Sequence, residues 1–289
     1  MKHALSSVLF ACLAMMVPLA ATETTVAFQT SNFAFDDEGK FNPATFPIGG
    51  LVRITDQIQG NLDGTIQFVS DPVYGNSLSA RATYHTAYLD ISAGPTFGVL
   101  NSGTDPDNIL ILFQPGLGIG FSVTVPGVLV ASADTDFALP PAESSDGQVY
   151  LRRSELSAGF YLPNVLCTLG ITQRNSSETG SDAKIKSMTD YGLYTTAFRK
   201  GSAFRVGVNF IYRVADYYIA SGSDANRKIG NLVLGGGLTW APKADFNLFV
   251  DGNGTLYSFS LGDKVTGLDS FLFELRAGMQ IKTQGLPSR

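Results

Sequence analysis

The sequence predicts an all-β protein, a transmembrane antiparallel up-and-down β-barrel of about 12–14 strands, the count set by matching the runs to tilted bilayer-crossing strands. Three observations predict it: period-two runs with two unlike faces, runs too long for soluble strands, and connections that alternate between long and short. The pattern is cleanest in the C-terminal third. Phe204, Val206, Val208, Phe210, Tyr212 and Val214 alternate with Arg205, Gly207, Asn209, Ile211 and Arg213. Phe271, Phe273, Leu275, Ala277, Met279 and Ile281 alternate with Leu272, Glu274, Arg276, Gly278 and Gln280. Period two is the side-chain repeat of a strand. Many runs extend about ten to fifteen residues, against five or six for soluble strands.

The bulk properties agree. Of the 289 residues 16% are charged, below the roughly 25% of soluble domains. Glycine (31 residues) and aromatics (11%) are plentiful. The net charge is −5 and no dense Lys/Arg patch occurs, which argues against a nucleic-acid partner. Residues 1–21 read as an export signal: Lys2 and His3 begin it, Ala4 to Leu19 is its apolar stretch, and Leu19-Ala20-Ala21 is the cleavage site. Leu9-Phe10-Ala11-Cys12 is an alternative lipidation site. Residues 22–289 read as one barrel domain. No later apolar run approaches the roughly 18 residues of a membrane helix.

In chain order, residues 22–47 hold either a first strand, over Thr24–Phe35, or a segment folded into the lumen. Ile48–Ile58 and Leu62–Phe68 make a hairpin about Gly60-Asn61. Leu78 to Tyr84 alternates again, and its phase slips at Tyr88–Leu89, where a bulge or a turn fits. Ile109 to Val125 puts Gly116, Gly118 and Gly120 opposite an apolar face, and Pro126-Gly127 turns into Val128–Phe137. Strand-like runs follow at Gln148–Tyr161, Val165–Gln173, Ile185–Phe198, Phe204–Ile219, Ile229–Trp240 and Asp245–Leu261. Short links at Leu162–Asn164, Lys200–Ser202 and Ala241–Lys243 alternate with polar stretches at Arg174–Ala183 and Ala220–Lys228. That asymmetry is the one expected of periplasmic turns and extracellular loops.

The polar face supplies the lumen-lining candidates: Arg53, Gln57, Asp63, Arg81, His85, Arg205, Asn209, Arg213, Asn247, Asp251, Glu274 and Arg276. A charge facing lipid at mid-depth costs about 2–4 kcal/mol, so these side chains belong inside. The arginines outnumber the acids among these candidates, which predicts an anion-favouring lumen if it is open. Tyr217, Tyr218, Trp240, Phe246, Tyr257, Phe259, Phe271 and Phe273 are the interface aromatics, rings suited to the two membrane–water boundaries. No serine stands at a spacing that pairs it with His85 as a nucleophile, so no catalytic residue is assigned and no enzyme is expected. One histidine and one cysteine in the mature chain make no metal site. Gly235-Gly236-Gly237 lacks a phosphate-loop pattern, and no cofactor is expected.

Together the export signal, dyad alternation, loop asymmetry and apolar last strand resemble those of the bacterial outer-membrane β-barrel superfamily. Asn42-Pro43-Ala44 resembles a short motif of the long-chain fatty-acid transporters, fourteen-stranded barrels with an N-terminal plug. The resemblance implies a location in the bacterial outer membrane, and membrane lipid and the barrel-assembly machinery as partners. Such barrels usually end on an aromatic residue, whereas this chain ends on Arg289. Passage of small solutes is the leading function. A structural or adhesin-like surface barrel is the alternative, and a soluble exported β-protein a third. Oligomeric state is left open.

Overall fold

A strand with one apolar and one polar face can satisfy both in lipid only if the sheet closes, because an open edge would leave backbone groups without partners. The computed structural model describes residues 23–32, 46–71, 75–101, 111–139, 152–175, 185–217, 227–261 and 271–282. Its strands are β1 (Glu23–Ser31), β2 (Ile48–Gln59), β3 (Leu62–Asp71), β4 (Gly75–His85), β5 (Leu89–Asn101), β6 (Ile111–Val125) and β7 (Leu129–Ala138). There follow β8 (Arg152–Leu162), β9 (Val165–Asn175), β10 (Ile185–Phe198), β11 (Phe204–Tyr217), β12 (Arg227–Lys243), β13 (Phe246–Ser260) and β14 (Phe273–Lys282). Each pairs antiparallel with its neighbours in sequence, and β1 pairs with β14 from Glu23↔Lys282 to Ser31↔Glu274, closing a 14-strand barrel.

The chain thus takes the upper end of the expected strand number, for two reasons. Residues 23–31 are a wall strand, bonded on both sides, so the plug alternative fails for them. The part of that alternative between 33 and 45 lies outside the described residues, as do the export-signal and lipidation readings. The phase slip is a turn: β4 stops at His85, and Leu89 N donates to Thr86 Oγ1 at 3.0 Å while Thr86 N donates to Leu89 O at 2.8 Å.

One expected link moves. Ala241-Pro242-Lys243 is not the turn; β12 runs through Lys243, and 244–245 make the reversal. The ladder is irregular between Trp240 and Lys243, where Pro242 has no N–H to give. The hairpin turns themselves use residues that tolerate a left-handed backbone, with φ of 56° at Gly60 and 73° at Gly127.

The short connections gather at one end with Glu23 and Lys282, and the longer ones at the other. One connection at that other end, 72–74, is short. The outer face is apolar, with Phe28, Ile66, Leu156, Leu169, Phe210 and Leu256 all more than half exposed. On that face Val52 and Phe68 are buried against Val26, Ile54 and Leu78. The β4–β5 ladder skips Ala80–Arg81 against Gly94–Pro95. Pro95 cannot donate there, and Gly94 lies so close to the Ala80 carbonyl that a Cβ would collide with it.

Candidate functional site

The candidate site is the lumen, and the strand register builds it row by row. Facing residues on neighbouring strands share a side of the sheet. One inward row runs Thr172, Asp190, Arg213, Asn231 across β9 to β12. The next but one runs Thr168, Tyr194, Asn209, Gly235, Asn253, Glu274 to Ser31 on β1. The next is Thr196, Gly207, Gly237, Asp251, Arg276, Gln29. A fourth reaches Asn247, Gln280, Thr25, Arg53, Gln67 and Ser79.

Glycines in these rows make room for the long polar side chains beside them. Gly235 leaves the space that the Asn209 and Asn253 carboxamides fill, with Asn209 Nδ2 donating to Asn253 Oδ1 at 2.7 Å. The Tyr194 ring lies over Gly192. The Arg81 guanidinium lies over Gly118 and near Gly120, and so reaches β7, where Nη1 donates to Asp134 at 2.5 Å and Nη2 to Asp136.

Buried and exposed ionic groups result. In the buried group Arg213 donates to Asp190 through Nε at 2.8 Å and Nη2 at 2.9 Å, and to Glu274 at 3.0 Å. Arg174 stands 3.8 Å from Asp190. The contact with Glu274 runs from β11 to β14, past two intervening strands, and crosses the lumen toward the long-loop end. Beyond it Met188, Ala215 and Ile229 form a buried inward-facing layer. Inward apolar side chains depart from the polar lumen face that the alternation predicts. Arg81 with Asp134 and Asp136 makes a half-buried group. Arg276 with Asp251 (3.1 Å) and Arg153 with Glu155 are the exposed ones; the Arg276 and Asp251 side chains are 48% and 40% exposed. Arg276 Cζ also lies 5.5 Å from the Phe249 ring centre.

At the short-turn end His85 bridges two carboxylates, Nδ1 to Asp90 at 2.8 Å and Nε2 to Asp63 at 3.1 Å. Only the imidazolium donates both bonds. Ser122 Oγ donates to Asp90 at 3.1 Å and makes no contact with His85 that would activate it. Gln57 Nε2 caps the Gly60 carbonyl at 2.6 Å, and Asn247 donates to Gln280 at 2.8 Å. Arg205 is exposed on the inward face near the 199–203 turn. All twelve lumen candidates therefore face inward. Among the described residues no group of three or more His, Cys, Asp or Glu could hold a metal ion.

Alternation alone missed most of the inward acids. Glu23, Asp71, Asp90, Asp134, Asp136, Glu155 and Asp190 join Asp63, Asp251 and Glu274 on that face, against Arg53, Arg81, Arg153, Arg174, Arg205, Arg213, Arg276 and Lys282. Among the described residues the arginine excess read from the sequence therefore does not hold. Asp90, Asp134, Asp136 and Glu155 sit on β5, β7 and β8. The face of β5 could be assigned only once the turn at Thr86–Tyr88 had fixed its phase, whereas on β7 Ser132, Asp134 and Asp136 already alternate with Ala131, Ala133 and Phe137.

Outside, rings gather at both ends. Phe204 stacks on Trp240 at 6.3 Å near the short turns, and Phe246 lies outward beside them. Toward the long loops Tyr191, Tyr212, Phe259 and Tyr257 form a continuous row, with centroids 6.0–6.2 Å apart, and Phe271 stacks on Phe273 at 6.4 Å. Tyr218 and the side chain of Tyr217 lie outside the described residues. Tyr191, Phe204 and Tyr212 were not foreseen as part of the belts.

A closed, apolar-coated barrel with a polar lumen and ringed ends is the architecture of a transmembrane β-barrel. The solved structures that this chain resembles are bacterial outer-membrane barrels. One is described as the CymD monoaromatic hydrocarbon channel, with a TM-score of 0.53, 7% identity, and coverage of 96% of this chain and 92% of that one. Another is a FadL homologue of Pseudomonas aeruginosa, with a TM-score of 0.50, 8% identity and coverage of 90% and 89%. At such identities the likeness is one of fold. No family model and no curated protein matches the chain.

Proposed function

We propose that the protein is a channel of the bacterial outer membrane that passes small polar solutes. The observation that carries this reading is the lumen itself. A cavity of about 670 Å³ in it is lined by polar side chains from opposite walls, Gln29, Asp251 and Arg276 on one and Glu155, Thr168 and Thr196 on the other. Barrels of about eight strands are filled by side chains and those of sixteen to eighteen hold an aqueous channel. Fourteen strands fall between, which suits a narrow polar passage. The apolar outer face and the two aromatic belts suit a bilayer. Insertion by the barrel-assembly machinery and contact with membrane lipid go with that location. That the CymD structure is described as a channel supports the class of function and leaves the solute open. Passage rather than catalysis is favoured because Ser122 is turned to Asp90 and not to His85.

The test is single-channel current through the refolded barrel in a planar bilayer. Discrete conductance steps are expected. In asymmetric KCl the reversal potential should lie near zero, because inward acids and bases nearly offset each other. Strong anion selectivity would show that the inward acids are not charged or not in the path. Barrels shown to be folded that pass no current would leave the structural or surface-interaction reading ahead.

A further inference from the structure

We propose that Arg53, Arg153 and Arg276 form an anion subsite in the lumen, with Arg53 as its specificity-determining residue. Its ligand is a small solute bearing an oxyanion group, a carboxylate or a phosphate. The place of this subsite in transport rests on the channel reading; the binding itself does not.

The register puts Arg276 and Arg53 two inward rows apart on one wall, on β14 and β2 with β1 between them. The row that separates them carries Ala27 and Gly278, and the Phe249 ring lies over Gly278, 5.5 Å from Arg276 Cζ, as an aromatic floor between the two guanidinium groups. Arg153 comes from β8 on the facing wall. The Arg53 guanidinium lies within electrostatic reach of Arg153 and Arg276, and also of Glu23 and Asp134. Three cations from two walls therefore share one stretch of the lumen.

The nearby carboxylates are already matched to other cations. Glu23 lies 3.3 Å from Lys282, Asp134 2.5 Å from Arg81, and Asp251 3.1 Å from Arg276, and Glu155 is joined to Arg153. Arg53 differs from all of these. Among the described residues its partner is the neutral Gln67, which accepts from Nε at 2.7 Å. Its terminal nitrogens and its charge are left for a ligand. A guanidinium offers a planar fork of N–H donors that matches a carboxylate or phosphate edge. The low-dielectric wall focuses the field of an uncompensated charge into the lumen. Arg276 and Arg153 are both nearly half exposed and can lend donors without leaving their own carboxylates. Arg213 is held in a buried pair and Arg81 between two carboxylates, and neither has such freedom.

The test titrates succinate, inorganic phosphate and uncharged succinamide against the folded, detergent-solubilised full mature barrel by calorimetry, and against KCl current in bilayers. Wild-type barrel should bind at least one anion and show block of the current by it, with succinamide inert; which anion binds more tightly separates the two oxyanion classes. Arg53→Gln should raise the half-block and dissociation concentrations at least tenfold. Arg53→Lys should restore part of the loss. Lys200→Gln, a change at an exposed lysine in the 199–203 turn, should leave both unchanged. Circular dichroism confirms that each variant is folded. Equal anion binding by wild type and Arg53→Gln, or no anion binding by wild type, overturns the subsite. Anion binding in calorimetry without any current in bilayers keeps the subsite and overturns the channel.

Discussion

The Arg213 and Arg276 groups have the same chemistry and opposite surroundings. Each is an inward arginine on a central strand, paired with a carboxylate that the ladder places directly opposite. Arg213 and Asp190 are 5% exposed, bonded twice, and tied onward to Glu274. Arg276 and Asp251 stand nearly half in the open lumen. The difference comes from the rows beside them. The Arg213 row is next to the buried layer of Met188, Ala215 and Ile229, whereas the Arg276 row has Gly207 and Gly237 in it. Apolar neighbours bury one pair, and glycines open the space before the other. Burial makes the first pair a structural tie, and openness makes the second a surface that a solute can meet.

That contrast predicts a large and a small effect for two nominally similar substitutions. Arg213→Leu leaves the buried Asp190 and the half-buried Glu274 with a weakened counter-charge, a change that costs about 3–5 kcal/mol when one partner of a buried pair is lost. Urea unfolding of the folded barrel in detergent micelles should show it as a large fall in the midpoint. A fall of a few tenths of a kcal/mol would mean that water reaches the pair and that the two groups are alike after all.

Val208 faces outward and Asn209 inward on the same strand. Val208→Arg should cost about 2–4 kcal/mol at mid-depth in a bilayer, and Asn209→Arg less. Equal yields of folded barrel from lipid refolding of the two variants would overturn the assignment of faces.

The smallest effect is expected at the exposed pair. Arg276→Ala should change stability by only about 0.2–1 kcal/mol, the range of solvent-exposed ion pairs. The same unfolding assay measures it beside Arg213→Leu. A loss as large as that of Arg213→Leu would make Arg276 a tie of the wall and not a lumen surface.

Much of this site was legible in the chain. Alternation alone assigned Arg53, Arg81, Asn209, Arg213, Asp251, Glu274 and Arg276 to one face, because a side chain's face follows from its parity along a strand. It could not assign a face where parity was interrupted. The turn at Thr86–Tyr88, the bulge that sends both Leu256 and Tyr257 outward, and the irregular pairing around Pro242 each reset the count. The inward acid of β5 was overlooked for the same reason, whereas those of β7 and β8 lay within regular alternation.

The sequence by itself determined that the strands have an apolar and a polar face, that they are long, and that their links alternate; these are local properties, fixed by residue type and spacing. Only the closed barrel decided the strand number and which charges meet. Glu274 is 61 residues from Arg213 and comes 3.0 Å from it because curvature carries β14 round toward β11. Likewise, Arg81 finds Asp134 across two strands because glycine clears the way over β6. Such contacts depend on how far the wall bends between strands, and bending is a property of the assembled sheet that no single run of residues encodes.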